Sequence, residues 1–190
     1  MNRPSRNHHF VPRSLLKRFS IDGLGKQIHV YEKRTGRTFA PAIENAGSEN
    51  DFNTLELPDG MWNFEPLFDE IDQVLHHLLE DIHASRSVSA LSEAARFSWA
   101  DVVVGQLIRT PLMRHTHVQT ASDIAASLMA TGLVDPSAFS QVTDNDSRAM
   151  TVALLLQRAP LRAALLKKDL VLYAATGPER VLDLGQSCSG

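Results

Sequence analysis

The sequence has one thiol, Cys188, third from its end. An internal disulfide is therefore impossible, and a cysteine-rich zinc centre is excluded with it. Such scarcity fits a reducing compartment, and the cytoplasm is the expected location. No apolar run is long enough to span a bilayer. The most apolar stretch, Val152 to Leu166, is interrupted by Arg158, Pro160 and Arg162. The N-terminus lacks the apolar run of a secretory signal. Pro4 and Pro12 break the amphipathic helix that a transit peptide would need. There is no glycine-rich phosphate loop, no G-x-S-x-G elbow, no dinucleotide fingerprint and no internal repeat. Between residues 38 and 85 there is not one lysine or arginine.

What is present is enough for a folded domain. Hydrophobic residues make up 43% of 190 and charged residues 22%, which supports a core and argues against disorder of the whole chain. The net charge of −3 hides a strong segregation. Residues 1–37 hold nine basic side chains against Asp22 and Glu32, and residues 38–85 hold eleven acidic ones. Either the two segments fold against each other, or the basic one faces phosphate while the acidic one holds a cation. Pairing and solvation are the default for surface charge.

The pattern predicts a single domain over 1–190. Residues 1–7 are expected to be disordered, 8–57 to form a hairpin region, 61–168 to be helical, and 170–190 to hold strands and a tail. His8 to Pro12 should be extended, since a residue before proline avoids the helical region. Pro12 then suits the start of a helix over Arg13 to Phe19. Gln27–Lys33 and Thr38–Ile43 alternate as two strands about Thr35-Gly36. Asp51–Leu57 reads as a third extended piece.

Helices are expected over Trp62–Ala84, Ser92–Arg109 and about Leu112–Ala130, with another from Asp146 interrupted at Pro160. Ser92 is the expected cap of the second, with Ala95, Val102, Val103 and Leu107 on its buried side. Leu170–Ala174 and Val181–Leu184 read as strands. Nothing follows to pair or cap the last strand, so the tail Gln186-Ser187-Cys188 reads as a truncated or frameshifted end. The fold class is α+β, mostly α: a small N-terminal β-hairpin region packed on a helical bundle, with a C-terminal strand pair.

Three constellations could carry chemistry. In an extended His8-His9 pair the rings point to opposite faces, so one can enter a site while the other packs. A similar HHxxP string occurs in nucleases of the His-metal-finger type, where it supplies a metal ligand and a general base. Here a helix rather than a hairpin follows it. Asn45, Asn50 and Asn53 lie well downstream, and His76 farther still.

The second constellation is Glu65, Asp69, Asp72, His76, Glu80 and His83. Their spacings of three and four place them on one helical face, either a solvated surface or a cation site. The third is QLIRTPLMR. Gln106 and Arg109 share a face there and Arg114 follows the proline. Arg109 could hold a substrate phosphate or form a buried ion pair with the acidic helix.

Taken in order, HHFVPRSLLKRFS, QIHVYEKRTGR, ENDFNTL, a helix with Glu65 near its start and QLIRTPLMR resemble the bacterial family catalogued as domain of unknown function 4238. The resemblance covers most of residues 7–115. His8, His9, Pro12, Asp51, Phe52, Gln106, Arg109, Pro111 and Arg114 match its motif positions. Asn53 stands where that family usually has tyrosine, and its closing acidic-proline element is missing. The resemblance implies a fold and marks residues without supplying a reaction.

The expectation is a metal-dependent phosphodiesterase or nuclease-like activity. His8, His9 and Arg109 would be catalytic, and Gln106, Arg109 and Arg114 would bind substrate. His8, His9, Asp51 and Glu65 would hold a divalent metal. The expected partner is nucleic acid or a phosphate-bearing ligand, with no membrane. The alternatives are a non-catalytic nucleic-acid or protein binding module, or an inactive, truncated family member.

Overall fold

The computed structural model describes residues 6–172 except 22, 90, 133, 134, 136, 138 and 139. The chain enters through β1 (Asn7–His9), and Pro12 caps the short helix α1 (Arg13–Lys17). Arg6 and Asn7 belong to this ordered entry, so the expected disorder of 1–7 does not extend to them. The ribbon β2 (Val30–Glu32) and β3 (Arg37–Phe39) follows, with Tyr31 opposite Thr38. This is the expected hairpin with shorter strands. A 3-10 turn at Ile43–Asn45 leads into β4 (Ser48–Asn50), which pairs antiparallel with β1 and sets His8 opposite Glu49.

The β1–β4 pairing is not written in local sequence, because its partners are about forty residues apart. Gly47 makes it possible. Its φ is 61°, and its carbonyl accepts from the N–H groups of Phe10 (2.9 Å) and Val11 (3.2 Å). A Cβ at this position would stand 2.9 Å from Val11 Cβ. Glycine is thus required twice over, by conformation and by space. Val11, Leu16, Ile28, Ile43 and Ala46 close a small core beneath.

A second hairpin, β5 (Thr54–Leu57) with β6 (Gly60–Asn63), sets Leu55 opposite Trp62. This corrects the expected helix start at Trp62. Pro58-Asp59-Gly60 turns the chain back into another strand, and helix α2 runs only from Pro66 to Ser85, with proline in its first turn. Phe68, Ile71, Leu75, Leu78 and Ile82 form its buried stripe. Helix α3 (Glu93–Ile108) packs across it, and Ser92 Oγ accepts from Ala95 N–H at 3.2 Å, as expected of a cap. Its buried side is Ala100, Val102, Val104 and Ile108, whereas Leu107 is 52% exposed. The expected assignment of Val103 and Leu107 to that side was off by one position along the helix.

Thr110 caps helix α4 (Pro111–Ala130), which Gly132 ends at a φ of 70°. Thr143 and Asp146 form a reciprocal capping box at the start of α5 (Asp144–Leu156). Arg158 is the cap residue before α6 (Ala159–Leu166), and Pro160 sits in the first turn of that helix. Asp101 of α3 takes Arg158 Nε at 2.9 Å and Arg162 Nη1 at 2.8 Å, tying α6 to α3.

The start of α5 also grips the second hairpin. Asn145 Oδ1 accepts from Glu56 N–H at 2.8 Å, Asn145 Nδ2 donates to Glu56 O at 3.0 Å, and Arg148 donates to Thr54 O at 3.1 Å. The fold is therefore α+β and mostly α, with the strands in the N-terminal part. Leu170–Leu172 form no strand, and the rest of the expected C-terminal pair lies outside the described residues. Among the described residues no single helix is long and apolar enough to cross a membrane. Helices α5 and α6 pass that test only as a pair, bent by 57°.

Candidate functional site

A polar cleft of about 730 Å³ opens where β1, α1, the 3-10 turn and the first turns of α2 meet. On one side stand His8, His9, Arg13 and Ser14, and Glu44 and Asn45 belong to the 3-10 turn. On the other stand Glu65, Asp69, Asp72 and Gln73, at helical spacings that bring them to one face of α2. The sequence logic is plain. The extended HHFVP segment must turn at Pro12, so the two residues after it share the wall with His9.

His9 is the reactive-looking group. Its Nε2 is buried without a hydrogen-bond partner, as is Ser14 Oγ. Burial pushes the imidazole pKa down, and the Arg13 charge pushes it further, while the carbonyls of Ile43 and Glu44 resist. The ring is thus neutral at pH 7. Its backbone N–H donates to Glu65 Oε1 at 3.4 Å. His8 points the other way, as alternation demands. It is 2% exposed, and its Nδ1 accepts the Asn53 backbone N–H at 2.9 Å, which puts its proton on Nε2.

Behind the cleft lies a buried polar network centred on Asn53, which is fully buried. Asn53 Nδ2 donates to Glu65 Oε2, and Asn53 Oδ1 accepts from Arg114 Nη2 at 3.0 Å. The Arg114 guanidinium lies 3.3 Å from the centre of the Phe52 ring, a cation–π contact. Burial lowers the Arg114 pKa to about 10, so it stays charged at neutrality. Arg109 is 0% exposed and clasps Asp72 with two bonds of 3.0 and 2.6 Å. Gln106, with its side-chain oxygen turned to the guanidinium, accepts from Arg109 Nε at 3.0 Å.

Four of the expected site residues are held in other contacts. Arg109 is a buried ion pair to the acidic helix, one of the two readings its sequence allowed, and it is not poised to meet substrate. Arg114 is 6% exposed and committed to Asn53 and Phe52, so it does not present a phosphate site either. Gln106 serves Arg109 rather than a ligand. Asp51 pairs with Arg6 outside the cleft, and that bond holds its carboxyl below the usual range. No group of three or more His, Cys, Asp and Glu side chains among the described residues is arranged to hold a metal ion. The set His8, His9, Asp51 and Glu65 is therefore not assembled as one centre, since its members are drawn to different partners.

The charge segregation resolves in part by internal pairing. Arg6 meets Asp51, and Arg18 meets Glu80, each joining the basic segment to the acidic one. Of the long acidic face, Asp72 and Glu80 are taken up by arginines, Glu65 and Asp69 face the cleft, and His76 stacks loosely on His77 at the surface. Arg13, Ser14, Glu44, Asn63 and Gln73 were not singled out by sequence, and Asn45 and Asn53 were noted there without a role in a site. Only Arg13 and Ser14 had a signal, their position directly after HHFVP.

Fold and site together define a small α+β protein with a polar cleft floored by buried Asn–Arg and Asp–Arg contacts. The family model described as protein of unknown function, DUF4238, matches residues 7–148, and the chain belongs to that family. No curated protein and no solved structure matches it. Every cleft residue lies inside the matched region.

Proposed function

We propose that the cleft is a hydrolytic site for phosphoesters with His9 as general base. The carrying observation is that His9, whose Nε2 is buried without a hydrogen-bond partner, lines a polar cleft that also holds Arg13. A base poised below neutrality accepts a proton from attacking water at pH 7. Arg13 neutralises charge on the phosphoryl oxygens. Glu65 and Asp69 supply the carboxylate side of a divalent cation site that the substrate phosphate completes. Magnesium is commonly held in this way, by one or two carboxylates, waters and substrate.

The test is hydrolysis of bis(p-nitrophenyl) phosphate with magnesium or manganese, against chelator. Loss of the His9 base should cost about 10²- to 10⁴-fold in kcat. The acidic limb of the pH profile should fall below the ordinary histidine range, because the His9 pKa is lowered. Equal turnover by wild type and His9→Ala would remove the proposal. A second reading, ligand binding without turnover, is favoured by the two arginines of QLIRTPLMR being withdrawn into the interior. Metal-independent binding with no hydrolysis of any phosphoester would select it.

A further inference from the structure

The ribbon β2–β3 stands apart from the rest of the fold. Every residue from Lys33 to Ala40 is exposed, on both faces of the ribbon. Only Val30 of its strand residues packs against the N-terminal core. Natural two-stranded ribbons are marginal alone, so one left open on both faces is poorly explained by stability.

Its composition points outward too. Lys26, His29, Arg34 and Arg37 are exposed, and Glu32 is the ribbon's sole carboxylate, itself 3.8 Å from Arg34. Tyr31 is 63% exposed and Phe39 46%. Opposed residues share a face, so the pairs Tyr31–Thr38 and Val30–Phe39 place one exposed aromatic on each side.

The root of the ribbon is the cleft wall. Gln27 bridges to Ala42, and Ile43 N–H donates to Lys26 O at 2.9 Å, directly before Glu44 and Asn45 of the cleft. From Val30, where the ribbon leaves the core, to Lys33 at its turn the chain reaches roughly 10 Å at about 3.3 Å per residue. That exceeds the roughly 8.5 Å depth of a DNA major groove, which is wide enough for a two-stranded β-ribbon.

We propose that β2–β3 is an arm that enters the major groove of duplex DNA and delivers the duplex to the cleft. Arg34 and Arg37 contact the flanking phosphates, and Tyr31 and Phe39 face the two groove walls. The choice of DNA as the cleft's substrate rests on the phosphoester reading above, while binding by the arm does not depend on it.

The experiment uses the full chain and a fluorescein-labelled 20-base-pair duplex, with the matching single strand and anionic phosphatidylserine vesicles as competitors. Anisotropy should show salt-dependent binding to the duplex. Arg34→Glu/Arg37→Glu should weaken it at least tenfold and flatten the log–log salt dependence by about two, since each neutralised phosphate contributes roughly 0.9. Tyr31→Ala/Phe39→Ala should weaken it several-fold at unchanged salt slope. These side chains are exposed, so melting curves should coincide with wild type.

No binding to duplex, tighter binding to the single strand, displacement only by vesicles, or wild-type affinity in both double variants would each overturn the arm. Failure of the hydrolytic reading looks different. There His9→Ala and wild type would turn over equally little, yet bind duplex through the same arginines.

Discussion

Asn53 is fully buried and ties the cleft to the polar network behind it. Its side chain joins Glu65, which faces the ligand space, to Arg114, which does not. It is the position where the sequence departs from the tyrosine expected by family resemblance, so its weight could not be read from the motif. Replacing it with alanine leaves the backbone bond to His8 intact but strips a buried guanidinium of an acceptor and Glu65 of a donor. Losing a hydrogen bond to a buried charge costs about 2–4 kcal/mol. Urea unfolding should show the unfolding free energy lowered by that amount, read as a lower midpoint at an unchanged slope. A variant as stable as wild type would mean that water or a neighbour satisfies Arg114 equally well. The same reasoning explains why the sequence left two readings open for Arg109, a phosphate contact or a buried ion pair. Arginine at the end of an apolar helix signals a polar partner, and the partner's side of the protein is decided by tertiary packing.

At the scale of elements, the crossing of α2 and α3 turns on Gly105. A Cβ there would stand 2.9 Å from Ile71 Cδ1 and 3.2 Å from Ile71 Cγ2. Glycine in a helix interior sacrifices about 0.5–1 kcal/mol relative to alanine. Overpacking a filled core costs about 1–3 kcal/mol, so the steric term should win. Gly105→Ala should lower Tm by a few degrees. A rise in Tm would show that Ile71 gives way freely.

Elements marked by local chemistry were legible: the Pro12 helix start, the Thr35-Gly36 ribbon, the Ser92 cap and the Pro111 break. The β1–β4 pair and the β6 strand were not. The first depends on a contact between distant segments. The second offers only four residues, Gly60 to Asn63, whose apolar Met61 and Trp62 read as easily into the following helix. The cleft was half legible for a related reason. His9, Glu65 and Asp69 stand in marked patterns, whereas Arg13 and Glu44 are ordinary surface residues until the chain brings them together.

For the whole molecule, ionisation makes acid the hazardous direction. His9 and His117 both have lowered pKa values, from burial first and from Arg13 and Arg114 second. Between those lowered values and the ordinary range near 6.5, the unfolded chain takes up protons that the folded one refuses. Stability therefore falls as pH drops through that window and the loss levels off beneath it. A second loss follows below about 4, the usual unfolded aspartate range. Burial raises the Asp101 pKa, but Arg158 and Arg162 together more than offset it and leave it depressed. Its contribution is present above that range and disappears as pH falls through the folded value. Urea midpoints at pH 7.5, 5.5 and 3.5 should descend in that order. His9→Gln/His117→Gln should remove part of the first step and none of the second. A flat response from 7.5 to 5.5 would contradict the assigned shifts.

The grip of α5 on the second hairpin has a consequence for how copies of this chain meet one another. Asn145 offers Glu56 both a donor and an acceptor, as the peptide of an adjoining strand would. Arg148 occupies the carbonyl of Thr54 in the same row. The outer margin of β5 thus has main-chain groups of Thr54 and Glu56 filled by side chains, with no third strand beside it among the described residues. An open strand margin is a template on which another polypeptide can grow by edge-to-edge pairing. Two residues on a helix therefore act as a selvedge, finishing the cloth where it would otherwise unravel into its neighbour.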